Sequence, residues 1–296
     1  LNGAIPDMVV RYETVSSGNW TTGTIWNPII AGGPRGAIAR INSTHTVDVT
    51  GNDLSLYMTE IFGTLNLYST YGHRLGIVNG TGTVYLERGE IPAAVYDNFF
   101  SPGGGTLEFG GTTSYDILGN ITAVNNLRLT GTGERRLPNN SLTVNGDLTI
   151  SGGAGLSVTN SNNRRISIKG NMTRISGSFE SGSGANATLV FDGVTTQVIT
   201  GSFTGSNTLN NLEINNASNV ILLEDTEVKR ELKLLNGLLN VASGSVFRIK
   251  YGAVVSPASG SPQSFVNGTV TKGMMTGNSF TFPTGNFTTV GAHGPV

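Results

Sequence analysis

Apolar residues in this chain fall in short clusters that alternate with polar ones at a period of two: Ile41, Val47 and Val49; Leu65 and Leu67; Val84 and Leu86; Leu107 and Phe109; Leu156 and Val158; Ile166 and Ile168. That period puts successive apolar side chains on one face of an extended backbone, so it predicts short strands throughout. Between the clusters stand Gly80-Thr-Gly82, Gly103-Gly-Gly105, Asn139-Asn140, Gly152-Gly153 and Ser181-Gly-Ser-Gly184. Turn signals at that density leave no room for long helices. The most helix-like stretch, residues 224–235, is read as strand because it matches residues 144–150.

That match belongs to a larger echo. Val124-Asn-Asn-Leu-Arg-Leu129 followed by Val144-Asn-Gly-Asp-Leu-Thr-Ile150 is repeated as Leu209-Asn-Asn-Leu-Glu-Ile214 followed by Val228-Lys-Arg-Glu-Leu-Lys-Leu234. Leu127 to Leu148 is 21 residues and Leu212 to Leu232 is 20, a spacing that suits one coil of a stacked solenoid. The predicted fold is all-β, a right-handed parallel β-helix of roughly 20–27 residues per coil. A lead-in and capping region occupies residues 1–38 and the helix residues 39–296. On the order of 11 to 14 coils would make a rod of roughly 50 to 65 Å. A β-sandwich pair also yields short alternating strands, but with hairpin signals every 8 to 12 residues or so and no 20-residue echo.

Leu142, Val144, Leu148 and Ile150 share one parity, and Gly146 sits where another inward side chain would fall. It predicts a tight corner between two strands of one coil, suited to a positive φ. The related tetrads Leu118-Gly-Asn-Ile121 and Lys169-Gly-Asn-Met172 put Gly119 and Gly170 at equivalent corners, 27 residues before and 24 after Gly146. Asn125, Asn126, Asn145, Asn171, Asn210 and Asn211 are candidates for a ladder in which side-chain amides bond to one another along the stack. The plainer reading is that Asn simply tolerates left-handed turns.

Composition narrows the function. Charged residues make up 12% of the chain, about half the usual share of roughly 25%, so the polar faces are mostly neutral. Eighteen basic and 19 acidic residues leave a net charge of -1, which gives no field for nucleic acid. The longest apolar stretches, such as Val220-Ile-Leu-Leu223, are far short of the roughly 20 residues of a bilayer-spanning helix. The absence of cysteine excludes disulfides and thiolate chemistry without fixing the compartment. Leu1 and the sequence around Val296 suggest a mature or excised segment whose rod continues beyond residue 296.

No catalytic, cofactor-binding or metal-binding residue stands out. His45, His73 and His293 lack second ligands at useful spacing. There is no Gly-x-Ser-x-Gly elbow, and Gly80-Thr-Gly82 and Gly131-Thr-Gly133 lack the rest of a phosphate loop. One enzymatic reading is polysaccharide cleavage, with Asp147 between Arg135-Arg136 and Arg164-Arg165, and with Glu180 and Asp192 nearby. Tyr57, Tyr68, Tyr71 and Tyr85 could then stack on sugar rings, though each charge and ring also serves as an ordinary loop or surface residue.

Several phrases together carry a resemblance: Ser17-Gly-Asn-Trp20 with Trp26; Gly82-Thr-Val-Tyr-Leu86 leading to Ile91-Pro-Ala-Ala-Val-Tyr-Asp-Asn-Phe-Phe100; Gly103-Gly-Gly-Thr-Leu-Glu-Phe109; and Phe280-Thr-Phe-Pro-Thr-Gly285. The chain resembles the large repetitive β-helical surface proteins of Bacteroidota exported by the type 9 secretion system, including gliding adhesins. The resemblance implies an extracellular or cell-surface location and adhesion or motility without catalysis. Secretion or anchoring machinery and surface glycans are the partners it suggests. No C-terminal sorting domain is visible in this segment. The alternatives are a carbohydrate-active β-helix of lyase or glycoside hydrolase type, and a sandwich-type binding module.

Overall fold

The computed structural model describes residues 9–117, 121–136, 140–152, 155–157, 165–181 and 187–285. It is a parallel β-solenoid of about 10 turns, just below the number expected from the sequence. One 12-stranded sheet runs its length, from Gly18–Asn19 to Val266–Asn267. All its pairings are parallel, which excludes the sandwich. At about 4.8 Å per strand the sheet is roughly 50 Å long.

The coil length is set by which residues align. Thr46 lies opposite Thr64, Leu127 opposite Leu148 and Leu239 opposite Val266. Variation is absorbed between strands, because registers inside them must keep the alternation in phase. The result is one column of inward side chains: Val47, Leu65, Val84, Leu107, Leu127, Leu148, Met172, Ile199, Leu222 and Val241, each the register partner of the next. All are buried, and complete burial of one such side chain is worth about 1.5–3 kcal/mol. A second column, Leu142, Ile166, Leu189, Leu212, Leu232 and Val255, lines the nine-stranded sheet.

The echo therefore reports coil length correctly and face incorrectly. Leu127 and Leu148 stack on the 12-stranded sheet, whereas Leu212 and Leu232 stack on the nine-stranded one. In the first copy Asn125 turns a corner between the strands Ala123–Val124 and Asn126–Leu129. In the second, Asn210 and Asn211 lie inside the strand Leu209–Asn215 and are buried. Residues 226–236 are strand, as the match to residues 144–150 predicts, but run unbroken where residues 142–150 form two strands separated by a corner.

Solenoid pairing begins before residue 39: Arg11–Thr14 runs parallel to Ile38–Ile41, and Gly18–Asn19 parallel to Thr46–Asp48. Trp26–Asn27 folds back antiparallel on Arg11–Thr14, and Trp20 and Trp26 pack edge to face at 4.8 Å beneath it. Further along, the short helix Asp97–Phe100 separates the six-stranded sheet from the nine-stranded one. It is held by Phe99, fully buried, and by Phe100 stacked on Tyr96 at 4.6 Å.

Candidate functional site

The corner between the nine-stranded and 12-stranded sheets holds most of the residues singled out from sequence. Asn126 Oδ1 accepts the backbone N–H of Asp147 at 2.9 Å, Asp147 Oδ1 that of Asn171 at 2.7 Å, and Asn171 Oδ1 that of Val198 at 2.9 Å. A ladder exists, but each rung joins a side-chain oxygen to the next coil's backbone, not amide to amide. The difference follows from supply: corner N–H groups outside regular strand pairing need acceptors, and a carbonyl or carboxylate oxygen one coil below provides them. Asp147 is thus a ladder residue, invisible to a search for asparagine.

Asn145 and Asn211 stand outside this ladder. Asn145 Nδ2 donates to the Phe100 carbonyl at 2.9 Å and Asn211 Nδ2 to that of Ala187 at 3.0 Å. A true amide rung joins Asn267 Nδ2 to Asn240 Oδ1 at 2.9 Å.

Gly146 and Gly170 do turn the corner, but neither adopts the positive φ that was expected; what requires glycine is proximity. A Cβ on Gly146 would lie 2.1 Å from Asn126 Oδ1, and one on Gly170 would lie 2.4 Å from the Gly146 carbonyl oxygen. Gly119 lies outside the described residues.

The charged cluster imagined around Asp147 is not assembled. Arg135 points inward and is fully buried. Arg136 pairs with Asp116 and Glu134, and Arg165 with Glu213 at 2.6 Å, while Arg164 lies outside the described residues. Asp192 binds Lys169 at 3.3 Å and the Ser167 hydroxyl at 2.6 Å. Asp147→Asn, which keeps the accepting oxygen, should leave stability within about 0.5 kcal/mol of the parent. Asp147→Ala should lose about 1 kcal/mol in urea denaturation.

Cross-coil pairing of this kind is general. Arg128 meets Glu108 at 3.1 Å, Arg248 meets Asp225 at 2.7 Å and Lys250 meets Glu227 at 3.3 Å, in each case on a neighbouring coil. A continuous polar row lies on the 12-stranded sheet, where Asp48, Asn66, Tyr85, Glu108 and Arg128 are successive register partners. Asp48 accepts from the Tyr68 hydroxyl at 2.8 Å and from Asn66 Nδ2 at 2.7 Å; Glu87 accepts from the Tyr85 hydroxyl at 2.8 Å. The bond to Asp48 raises the Tyr68 pKa, and burial followed by the bond to Glu87 raises that of Tyr85. Both phenols are therefore held as donors, Tyr68 to Asp48 and Tyr85 to Glu87.

Two clefts open on the other sides. One of about 450 Å3, beside the helix Asp97–Phe100, is lined by Tyr96, Asp97, Phe100, Ile121 and Asn145. A smaller one, of about 170 Å3, lies over Tyr71, His73, Arg74 and Arg88. Among the described residues no group of three or more His, Asp or Glu side chains could hold a metal ion, and no helix is long and apolar enough to cross a membrane.

The groups with displaced pKa values predict an acid response in two stages. His73 is buried, and burial lowers its pKa although Asp53 opposes the shift. The unfolded chain then takes up a proton near pH 6.5 that the folded chain refuses, so stability falls as the pH drops below about 6.5. The Arg248 guanidinium and the Val246 N–H hold Asp225 below its ordinary value. Burial works against the charged form of Glu227, but the Thr208 hydroxyl and Lys250 outweigh it. Stabilisation from these depressed carboxylates is complete above about pH 4.5 and is lost as the pH falls through their folded values. Thermal melts should therefore be flat between about pH 7 and 9, decline gently below about pH 6.5 and steeply below about pH 4, and decline again above about pH 10, where the unfolded chain loses tyrosine protons that buried Tyr85, Tyr96 and Tyr115 retain. His73→Asn should remove the first stage alone.

No protein-family model matches the chain, and neither the curated proteins nor the solved structures contain a match to it.

Proposed function

We propose that the chain is a structural and adhesive segment of a secreted or cell-surface bacterial protein, in which the solenoid supplies reach and a contact surface and performs no catalysis. The observation that carries this reading is the disposition of charge. The carboxylates of Asp48, Glu108, Asp147, Asp192, Asp225 and Glu227 are engaged by cations, hydroxyls and backbone donors, mostly on adjoining coils. Exposed pairs of this kind contribute about 0–1 kcal/mol each, so their value lies in fixing register along a long stack. A stiff rod some 50 Å long made from one repeating coil suits display at a distance. Export by a type 9 route, attachment through anchoring machinery and a role in adhesion or gliding belong to the same proposal and rest on the sequence resemblance.

A second reading, a carbohydrate-active β-helix, is favoured by the run of Asp48, Tyr68, Tyr85, Glu87 and Glu108 on one face. Incubation with acidic and neutral polysaccharides, followed by analysis for new reducing ends and unsaturated products, decides between them. The adhesive reading expects none. Turnover abolished by Glu108→Gln or Asp48→Asn would replace it with the second.

A further inference from the structure

We infer that the cleft over Tyr71, His73, Arg74 and Arg88 binds an acidic sugar unit, its carboxylate on Arg74 and its ring on Tyr71. This inference deepens the adhesive reading, and rests on it, by naming the ligand class.

The cleft is made by two consecutive coils. In the first, Tyr71-Gly72-His73 makes a turn with Gly72 at φ +75°, and a Cβ there would lie 1.9 Å from Asp53 Oδ1. Leu54 N–H donates to His73 Nδ1 at 3.2 Å, which leaves the proton on Nε2, facing Thr70 Oγ1 at 2.8 Å. His73 is thus a neutral, fully engaged wall rather than a titrating group. Arg74 follows on the strand Arg74–Asn79, paired in register with Ala93 of the next coil. That coil also supplies Arg88, Glu90 and Pro92 to the lining.

The two arginines differ in a way that defines the site. Arg88 forms an ion pair with Glu90 and lies with Cζ 5.5 Å from the Tyr71 ring centroid, so it is positioned. Arg74 is exposed and, among the described residues, its guanidinium has neither an ion pair nor a hydrogen bond. With His73 neutral, Arg74 and Arg88 against Glu90 leave one net positive charge among the lining residues of a concave site, where field lines are focused. The Asp53 carboxylate beside Gly72 is offset by Arg35, which bonds the Asp53 carbonyl at 3.5 Å. A planar guanidinium with free donors matches a carboxylate bidentately. Tyr71 is 55% exposed, and Arg88 braces its ring, giving an apolar platform of the kind a pyranose face covers. A volume of about 170 Å3 is below the roughly 300–1,000 Å3 of pockets for drug-sized ligands. It suits one ring of a longer chain lying along the rod.

The test is calorimetric titration of the full chain with trigalacturonate, cellotriose and sodium sulfate, with product analysis of the same samples. Trigalacturonate should bind and weaken as salt is raised, while cellotriose should not bind. Arg74→Gln and Tyr71→Ala should each reduce affinity at least tenfold. Arg128→Gln, on the 12-stranded sheet, should leave it unchanged. Equal binding of cellotriose, full displacement by sulfate at equal concentration, absence of trigalacturonate binding, or indifference to Arg74→Gln would each overturn the site while leaving the rod's adhesive role standing. Binding accompanied by cleavage would keep the site and overturn the non-catalytic reading.

Discussion

Replacing Arg135 with alanine should destabilise the protein by about 3 kcal/mol, among the largest effects of any single side chain. Arg135 belongs to the strand Glu134–Arg136, whose neighbours in sequence are half-buried, yet it is itself fully buried with no carboxylate bonded to it. Its guanidinium is held by carbonyls: Thr113 at 3.2 Å, Gly111 and Thr130 at 2.8 Å, and Gly110. Tyr115 covers it, with Cζ 4.7 Å from the ring centroid. These carbonyls lie in turns of the preceding coil and of its own, where the regular ladder leaves acceptors over, and one five-donor side chain serves several of them.

Removing it leaves a cavity and returns buried acceptors to an apolar interior. The Gly110 and Gly111 carbonyls have other donors, Tyr115 and Thr132, but among the described residues the Thr113 and Thr130 carbonyls rely on the arginine. Arg135→Met, which restores volume but no donors, should lose about 1–2 kcal/mol less than alanine. Hydrogen exchange should localise the loss to residues 106–136. The competing term is desolvation of the charge, which in other buried ion networks exceeds the benefit of pairing. A methionine variant more stable than the parent would show that desolvation wins here too.

Gly170→Ala should lose about 2–3 kcal/mol. The added methyl would meet the Gly146 carbonyl oxygen at 2.4 Å and Asp147 Oδ1 at 2.5 Å, and the backbone of one coil cannot yield without parting from the next. Gly146→Ala should lose a similar amount by a different route, pushing Asn126 Oδ1 off the Asp147 N–H. Gly51→Ala is the control: nothing lies within 4 Å of its Cβ and its φ is not left-handed, so a change within about 0.5 kcal/mol is expected. Far-ultraviolet circular dichroism in urea reads all three. Equal midpoints for Gly170→Ala and Gly51→Ala would mean that the coils at this corner are not in close contact.

Architecture was legible because it rests on alternation and spacing. The distance from Leu127 to Leu148 is a coil length in the structure as in the sequence. The face on which a motif falls was not legible, because Asn-Asn serves a corner at 125–126 and a strand interior at 210–211 with the same letters. Corner glycines were recognised from parity, but parity does not separate a positive φ from a close approach. Asp147 enters the sequence reading only through the alternative of polysaccharide cleavage, because charge suggests chemistry; its oxygen does what asparagine oxygens do on the neighbouring coils. Arg135 had one available signal: in Glu134-Arg135-Arg136 the middle residue occupies the inward phase, in register with Tyr115. The Arg74 cleft was legible only in part: Tyr71 stands among the tyrosines able to stack on sugar rings, but Arg88 joins Tyr71, His73 and Arg74 only through the winding of successive coils.

The central claim is that residues a coil apart stack in parallel register, and spin-label distances test it directly. The chain has no cysteine, so labels can be placed cleanly at Asn66 and, in turn, at Arg128, Thr149 and Thr173, which follow it at three, four and five coils on the 12-stranded sheet. Backbone separations of roughly 14, 19 and 24 Å, rising by about one strand spacing each time, are predicted. Distances that fail to increase in that order would contradict the stacked solenoid.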